Sequence, residues 1–155
     1  MAEGVFRNLT NFERPNQDFR IKDVDSCGTG AYHTGEPPDP RTLSVLEKHG
    51  ITGDYYQHAA RKFSISDFTR FDYILAMDKE NQRYLDRERA RLIRKGDLDE
   101  ATAGKVELWG KYGGHVNEEV IDPYYGARNG FDVAYDQMVR FTGGFLKELD
   151  RQSSS

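Results

Sequence analysis

The run Tyr73-Ile-Leu-Ala-Met77 is apolar throughout, and Asp78 follows it directly. Five continuous apolar residues read as a buried strand. An aspartate at that point caps a helix, placed here from residue 79 to about 95. A buried strand that turns at once into a capped helix is the unit of a parallel sheet covered by helices. The same alternation recurs along the chain. Helical spacing of Val5, Phe6 and Leu9 marks a first helix within residues 1–11. Residues 19–26 read as a short strand, and the Gly- and Pro-rich stretch 27–39 as a loop. Asp39 caps a second helix with Pro40 at its first position, and Gly50 stops it. Residues 58–63 read as a short strand. Ser66 is expected to cap a helix of one or two turns through Phe71. Residues 105–109 form a further strand, and a final amphipathic helix is expected from about Phe131 to Leu149. Strands separated by helices give an α/β fold with a parallel sheet.

The 155 residues suffice for one domain, expected over residues 1–150, with 151–155 as a disordered tail. A formal charge of -4 argues against a protein that grips nucleic acid mainly through phosphates. No apolar run approaches the ~20 residues needed to span a bilayer. The N-terminus lacks the basic and apolar regions of a signal peptide. The single cysteine excludes an internal disulfide framework and a multi-Cys zinc site. The expectation is a reduced, cytoplasmic domain.

Four features carry candidate chemistry. Cys27 precedes glycines, as a phosphate-cradling nucleophile would, but Pro37 and Pro38 follow and no helix begins for a dozen residues. The sixth residue after it is His33, not an arginine able to clamp a phosphate with two hydrogen bonds. Cys27 therefore reads as a small buried thiol at a strand end. In Asp122-Pro123-Tyr124-Tyr125 the proline biases Asp122 toward an extended backbone. A carboxyl in aromatic surroundings can keep its proton and act as a general acid, and paired tyrosines can wall a flat ring. The plainer reading of Asp-Pro is a turn. His49 sits at a helix end and serves its dipole, while His58 could orient a neighbouring loop. The basic run 87–95 reads as a solvated helix face.

Taken in order, MAEGVFRNL, DSCGTGAYHTGEPPDPR, KHGI, HAAR, FDYILAMD, KVEL and DPYYG resemble the low-molecular-weight protein-tyrosine phosphatases, the cytosolic acid phosphatases, from Met1 to about Leu149. The resemblance implies a three-layer fold on a four-stranded parallel sheet of order 2-1-3-4. It implies a thiolate nucleophile in a Cys-x5-Arg loop that attacks phosphorus, with loop amides and arginine stabilising the transferring group. It assigns Asp122 as the acid that protonates the departing phenol oxygen and then activates water. Tyr32 and Tyr124 match residues that flank the substrate ring. Ser26 and His58 match residues that brace the catalytic loop, and Tyr124 and Tyr125 match a tyrosine pair phosphorylated in some members. The substrates implied are phosphotyrosine proteins or small aryl phosphates, with no metal or organic cofactor. The Tyr-Tyr pair favours phosphotyrosine over phosphoarginine, and one cysteine disfavours arsenate-reductase chemistry.

The family's first strand and its Cys-x5-Arg loop have no match in this sequence. The expectations are a truncated gene model or internal start, a chain inactive as written, and poor folding for want of an inner strand. The alternative is a non-catalytic short isoform or binding remnant.

Overall fold

The computed structural model describes residues 1–30, 39–51, 60–120 and 129–154. The elements are α1 (Ala2–Leu9), α2 (Pro40–Lys48), α3 (Asp67–Arg70), β1 (Tyr73–Ala76), α4 (Lys79–Lys95), β2 (Lys105–Leu108) and α5 (Gly130–Ser153). A 3-10 turn, Trp109–Gly113, follows β2. β1 and β2 are parallel, with Ile74 opposite Val106 and Ala76 opposite Leu108. The α/β class and the parallel sheet are as the sequence reads, with two strands of that sheet present among the described residues.

Helix ends follow their local chemistry. The Asp39 carboxylate accepts from the Arg41 amide at 2.7 Å, and Asp78 from the Asn81 amide at 2.7 Å. Each satisfies an amide that has no partner within its helix. α4 ends on Gly96 in the left-handed region, φ 81°, where a side chain would be strained. Ser66 does not cap α3 through its side chain. Asp67 holds that turn instead, its carboxylate accepting from the Ser64 amide at 2.9 Å. The Ser66 hydroxyl lies 3.0 Å from the Ser64 hydroxyl. α5 runs to Ser153, past the expected end near Leu149, so the stretch 151–155 expected as a tail begins inside the helix.

The alternation of β1 separates two apolar layers. Tyr73, Leu75 and Met77 pack with Val5, Leu46, Ile51, Trp109, Met138, Phe141 and Phe145, the face covered by α1, α2 and α5. Ile74 and Val106 pack with Phe63, Phe68, Leu85, Leu92 and Leu98 under α3 and α4. Phe141 and Phe68 are fully buried, one in each layer. Truncating either to alanine is expected to cost about 3–5 kcal/mol.

The other expected strands are weaker. Residues 21–27 lie outside any helix or sheet pairing, and of the expected strand 58–63 the described residues 60–63 contribute a single parallel bridge, Lys62 to Gly28. β1 itself is half-buried over Tyr73–Leu75 and fully buried only at Ala76. The reason is a cleft of about 730 Å³ that opens along it.

Candidate active site

Three stretches that carry the sequence's candidate chemistry are 31–38, 52–59 and 121–128. Tyr32, His58, Asp122, Tyr124 and Tyr125 all lie in them, outside the described residues. The structure does describe how the chain enters and leaves these stretches.

The chain entering residues 121–128 is pinned to the carboxyl end of β1. The Val120 amide donates to the Met77 carbonyl at 2.8 Å, and the Lys79 amide donates to the Glu119 carboxylate at 2.8 Å. One residue earlier, Glu118 accepts from both terminal nitrogens of Arg140 at 2.7 and 2.6 Å. Gln137 completes the anchor, donating to Glu118 at 3.0 Å and to the Glu119 carbonyl at 3.1 Å. Arg140, followed by Gln137, holds the Glu118 carboxyl below its usual range.

The chain leading to residues 31–38 reaches the same region. The Asn81 side-chain Nδ2 donates to the Thr29 hydroxyl at 3.3 Å, which ties this chain to the first turn of α4. The chain leaving residues 52–59 joins it through Gly28. The Gly28 amide donates to the Arg61 carbonyl at 2.9 Å, and the Phe63 amide donates to the Gly28 carbonyl at 2.8 Å. The described residues that flank these stretches, Thr29, Arg61 and Val120, are thus tethered, directly or through Gly28, to the turn from β1 into α4. Ligand sites of open α/β sheets lie at such carboxyl ends.

A charged lattice fixes the wall beside this turn. Arg61 spans Asp25 at 2.9 Å and Asp67 at 3.0 and 3.2 Å. Asp67 is 4% exposed, and both its carboxylate oxygens accept from Arg61. Arg70 meets Asp23 at 2.7 Å. On the α1 side, the Ser26 hydroxyl donates to the buried Glu3 carboxylate at 2.9 Å, and Arg7 pairs with Glu3 at 3.2 Å. Reading the sequence singled out Ser26 but missed Glu3, Asp67 and the Glu118–Arg140 pair. The signal for Glu3 was an acid on the inner face of an amphipathic helix. The others needed contacts between distant segments.

Cys27 lies on the cleft wall and is exposed, against the expectation of a buried thiol. Its sulfur is still partly desolvated. That desolvation, with Asp67 and Asp25 nearby, outweighs the Arg61 charge and pushes the thiol up to about 11. Such a group is protonated at neutral pH and is a poor nucleophile. His49 caps α2 and stacks on Tyr135, centroids 3.8 Å apart and planes within 8°. Within the basic run, Arg89 donates to the Gly104 and Glu100 carbonyls and so ties α4 to the chain before β2.

Residues 1–155 match the family described as low molecular weight phosphotyrosine protein phosphatase. The chain belongs to this phosphatase family. It is 45% identical over 150 residues to the low molecular weight phosphotyrosine protein phosphatase of Schizosaccharomyces pombe, covering 96% of this chain and 87% of the relative. The human protein of that description is 37% identical over 148 residues, covering 96% and 85%. Among solved structures, a Drosophila arginine phosphatase superposes with a TM-score of 0.77 at 30% identity, covering 96% of this chain and 87% of the other. A protein tyrosine phosphatase from Entamoeba histolytica superposes at 0.72 with 26% identity, covering 98% and 88%. The fold of the phosphatase family is therefore the fold of this chain. Among the described residues, no helix is long and apolar enough to cross a membrane.

Proposed function

We propose that this chain supplies the general acid and the substrate walls of a cytoplasmic phosphotyrosine phosphatase. The observation that carries the reading is the family match over residues 1–155. Asp122 protonates the phenol oxygen as it departs, then takes a proton from the water that hydrolyses a cysteinyl phosphate. Tyr32 and Tyr124 flank the aryl ring, and Ser26 and His58 brace the phosphate loop. Tyr124 and Tyr125 are sites of phosphorylation. Substrates are phosphotyrosine proteins or small aryl phosphates, and a thiolate mechanism needs no metal or organic cofactor. The anchoring of residues 118–120 to α4 and α5 supports the role of Asp122. It gives the chain just before Asp122 a fixed origin at the carboxyl end of β1.

The nucleophile is a different matter. The 155 residues contain one cysteine, and His33, not arginine, stands six residues after it. With its thiol pushed up to about 11, Cys27 does not fill the role. The chain as written is therefore read as inactive. This same observation favours the second reading, a non-catalytic binding product of the phosphatase fold.

The test is hydrolysis of a phosphotyrosine peptide, of para-nitrophenyl phosphate and of phosphoarginine. The 155-residue chain alone is expected to give no turnover above buffer. Placing an apolar strand and a Cys-x5-Arg loop ahead of Met1 should give turnover of the first two. Asp122→Asn should then slow phosphotyrosine hydrolysis by about 10²–10⁴-fold. It should slow para-nitrophenyl phosphate less, because that leaving group needs less protonation. Turnover by the 155-residue chain sinks the inactive reading. An unchanged rate in Asp122→Asn removes Asp122 from the mechanism, and a preference for phosphoarginine replaces the substrate class.

A further inference from the structure

α4 turns one stripe of its surface directly away from the core. Leu85 and Leu92 are buried on its inner side. At about 100° per residue, Arg83, Arg87 and Arg94 fall within an arc of about 40° on the opposite side. All three are exposed. Among the described residues they are also the arginines that bond to nothing in the chain, whereas every other arginine has a partner. Their neighbours on the same helix are engaged: Arg91 pairs with Glu88 at 2.8 Å and Lys95 with Asp97 at 3.5 Å. Glu80 and Asp86 flank the stripe, one to each side, and neither pairs with it. α4 holds seven cations and three acids, against fifteen and twenty-three in the rest of the chain. A helix of net charge +4 thus stands on a remainder of net charge -8.

The stripe is narrow and all arginine, and both properties bear on what it can hold. A guanidinium presents a planar fork of donors that matches the paired oxygens of a carboxylate, which an ammonium group does not. Arg83 and Arg87 are separated by a rise of about 6 Å, and the whole stripe spans about 16 Å. An extended polypeptide with an acid at every second residue repeats its carboxylates on one face at about 6.6 Å. The long arginine stems can take up the small mismatch. Other anions fit less well. Between the arginines the stripe exposes only Ala90, so it has no apolar side chain to enter a lipid surface. It presents no aromatic ring on which a base could stack, and a nucleic-acid strand running past the helix would meet the acidic remainder of the chain.

We propose that the outer stripe of α4 is a docking site for an extended acidic segment of a partner protein, whose carboxylates pair with Arg83, Arg87 and Arg94. The charge contrast between the helix and the rest of the chain confines the segment to this stripe. Binding is weak and salt-sensitive, because the pairs form at a solvated surface. No catalytic group enters the proposal, so it stands or falls apart from the phosphatase reading.

The test uses the 155-residue chain and a fluorescein-labelled peptide, Glu-Ser-Glu-Ser-Glu-Ser-Glu, followed by anisotropy and by amide chemical shifts. The expected result is saturable binding that weakens about tenfold or more as salt rises from about 0.05 to about 0.3 M, with shift changes centred on residues 83–94. The double variant Arg83→Gln, Arg87→Gln should weaken binding by about tenfold. The double variant Arg91→Gln, Lys95→Gln removes the same charge from the same helix, but from side chains already paired, and should change binding by less than about twofold. All four positions are exposed, so an unchanged far-UV spectrum is expected of both variants. Absence of saturable binding, shift changes confined to other elements, or equal losses in the two variants overturns the site. Tighter binding of an oligothymidylate or of phosphatidylserine vesicles overturns the acidic polypeptide as its occupant. Equal binding of Glu-Glu-Glu-Glu-Ser-Ser-Ser overturns the extended register.

Discussion

Gly144 of α5 and Tyr112 of the 3-10 turn approach so closely that a Cβ on Gly144 would lie 1.8 Å from the Tyr112 carbonyl oxygen. The helix and the turn meet main chain to main chain, which brings Tyr112 onto Phe145 edge to face, with ring centroids 5.2 Å apart. The neighbouring Gly143 has open space where its Cβ would stand. The two glycines therefore predict opposite outcomes. Gly144→Ala must push the turn off the helix and should destabilise by about 1–3 kcal/mol. Gly143→Ala should stabilise by up to about 1 kcal/mol, because alanine is the better helix former. Urea denaturation of both variants checks this. Equal effects would mean that the contact yields freely.

The two glycines also show what the sequence could and could not convey. The spacing of Tyr135, Met138, Val139, Phe145 and Leu146 announces α5, and an internal Gly-Gly pair only weakens that reading. Why Gly144 is there depends on Tyr112, more than thirty residues earlier. Periodicity and caps are local, so α1, α2, β1, α4 and β2 were legible. The partnerships of Glu118 with Arg140 and of Arg61 with Asp25 and Asp67 join distant segments and leave no periodic trace. The run 19–26 has strand-like composition, yet composition does not supply a pairing partner. Among the described residues its neighbour across the cleft is β1, with no strand between them. Asp122, Tyr32, Tyr124, Tyr125 and His58 came from the order of motifs and lie outside the described residues, and Ser26 alone has a described bond.

The Glu118–Arg140 pair gives the fold a pH dependence with a definite sign. Arg140 holds the Glu118 carboxyl below its ordinary value in the folded chain. The stabilisation is complete above that ordinary value, near 4.5, and is lost as pH falls through the lower folded value. Glu118→Gln should cost about 1 kcal/mol at pH 7, since Arg140 is partly solvated and solvent screens the pair. The gap to the parent chain should close as pH falls well below 4. A difference that persists unchanged at low pH would assign the loss to packing and not to the ion pair.

Cys27 offers the last test, because its reactivity separates an accessible thiol from an activated one. The residue is exposed, so a small alkylating reagent can reach it. Partial desolvation and the nearby carboxylates hold the thiol up at about 11. Only the thiolate attacks, so alkylation by iodoacetamide should be slow at pH 7.5 and rise nearly tenfold per pH unit up to about pH 10. Arg61 works in the opposite direction, favouring the thiolate. Arg61→Met should therefore slow the reaction further at fixed pH while the chain remains folded. A rate that levels off below pH 8 would mark an activated cysteine and reopen Cys27 as a nucleophile. The steep rise would bear out Cys27 as an accessible but unactivated thiol.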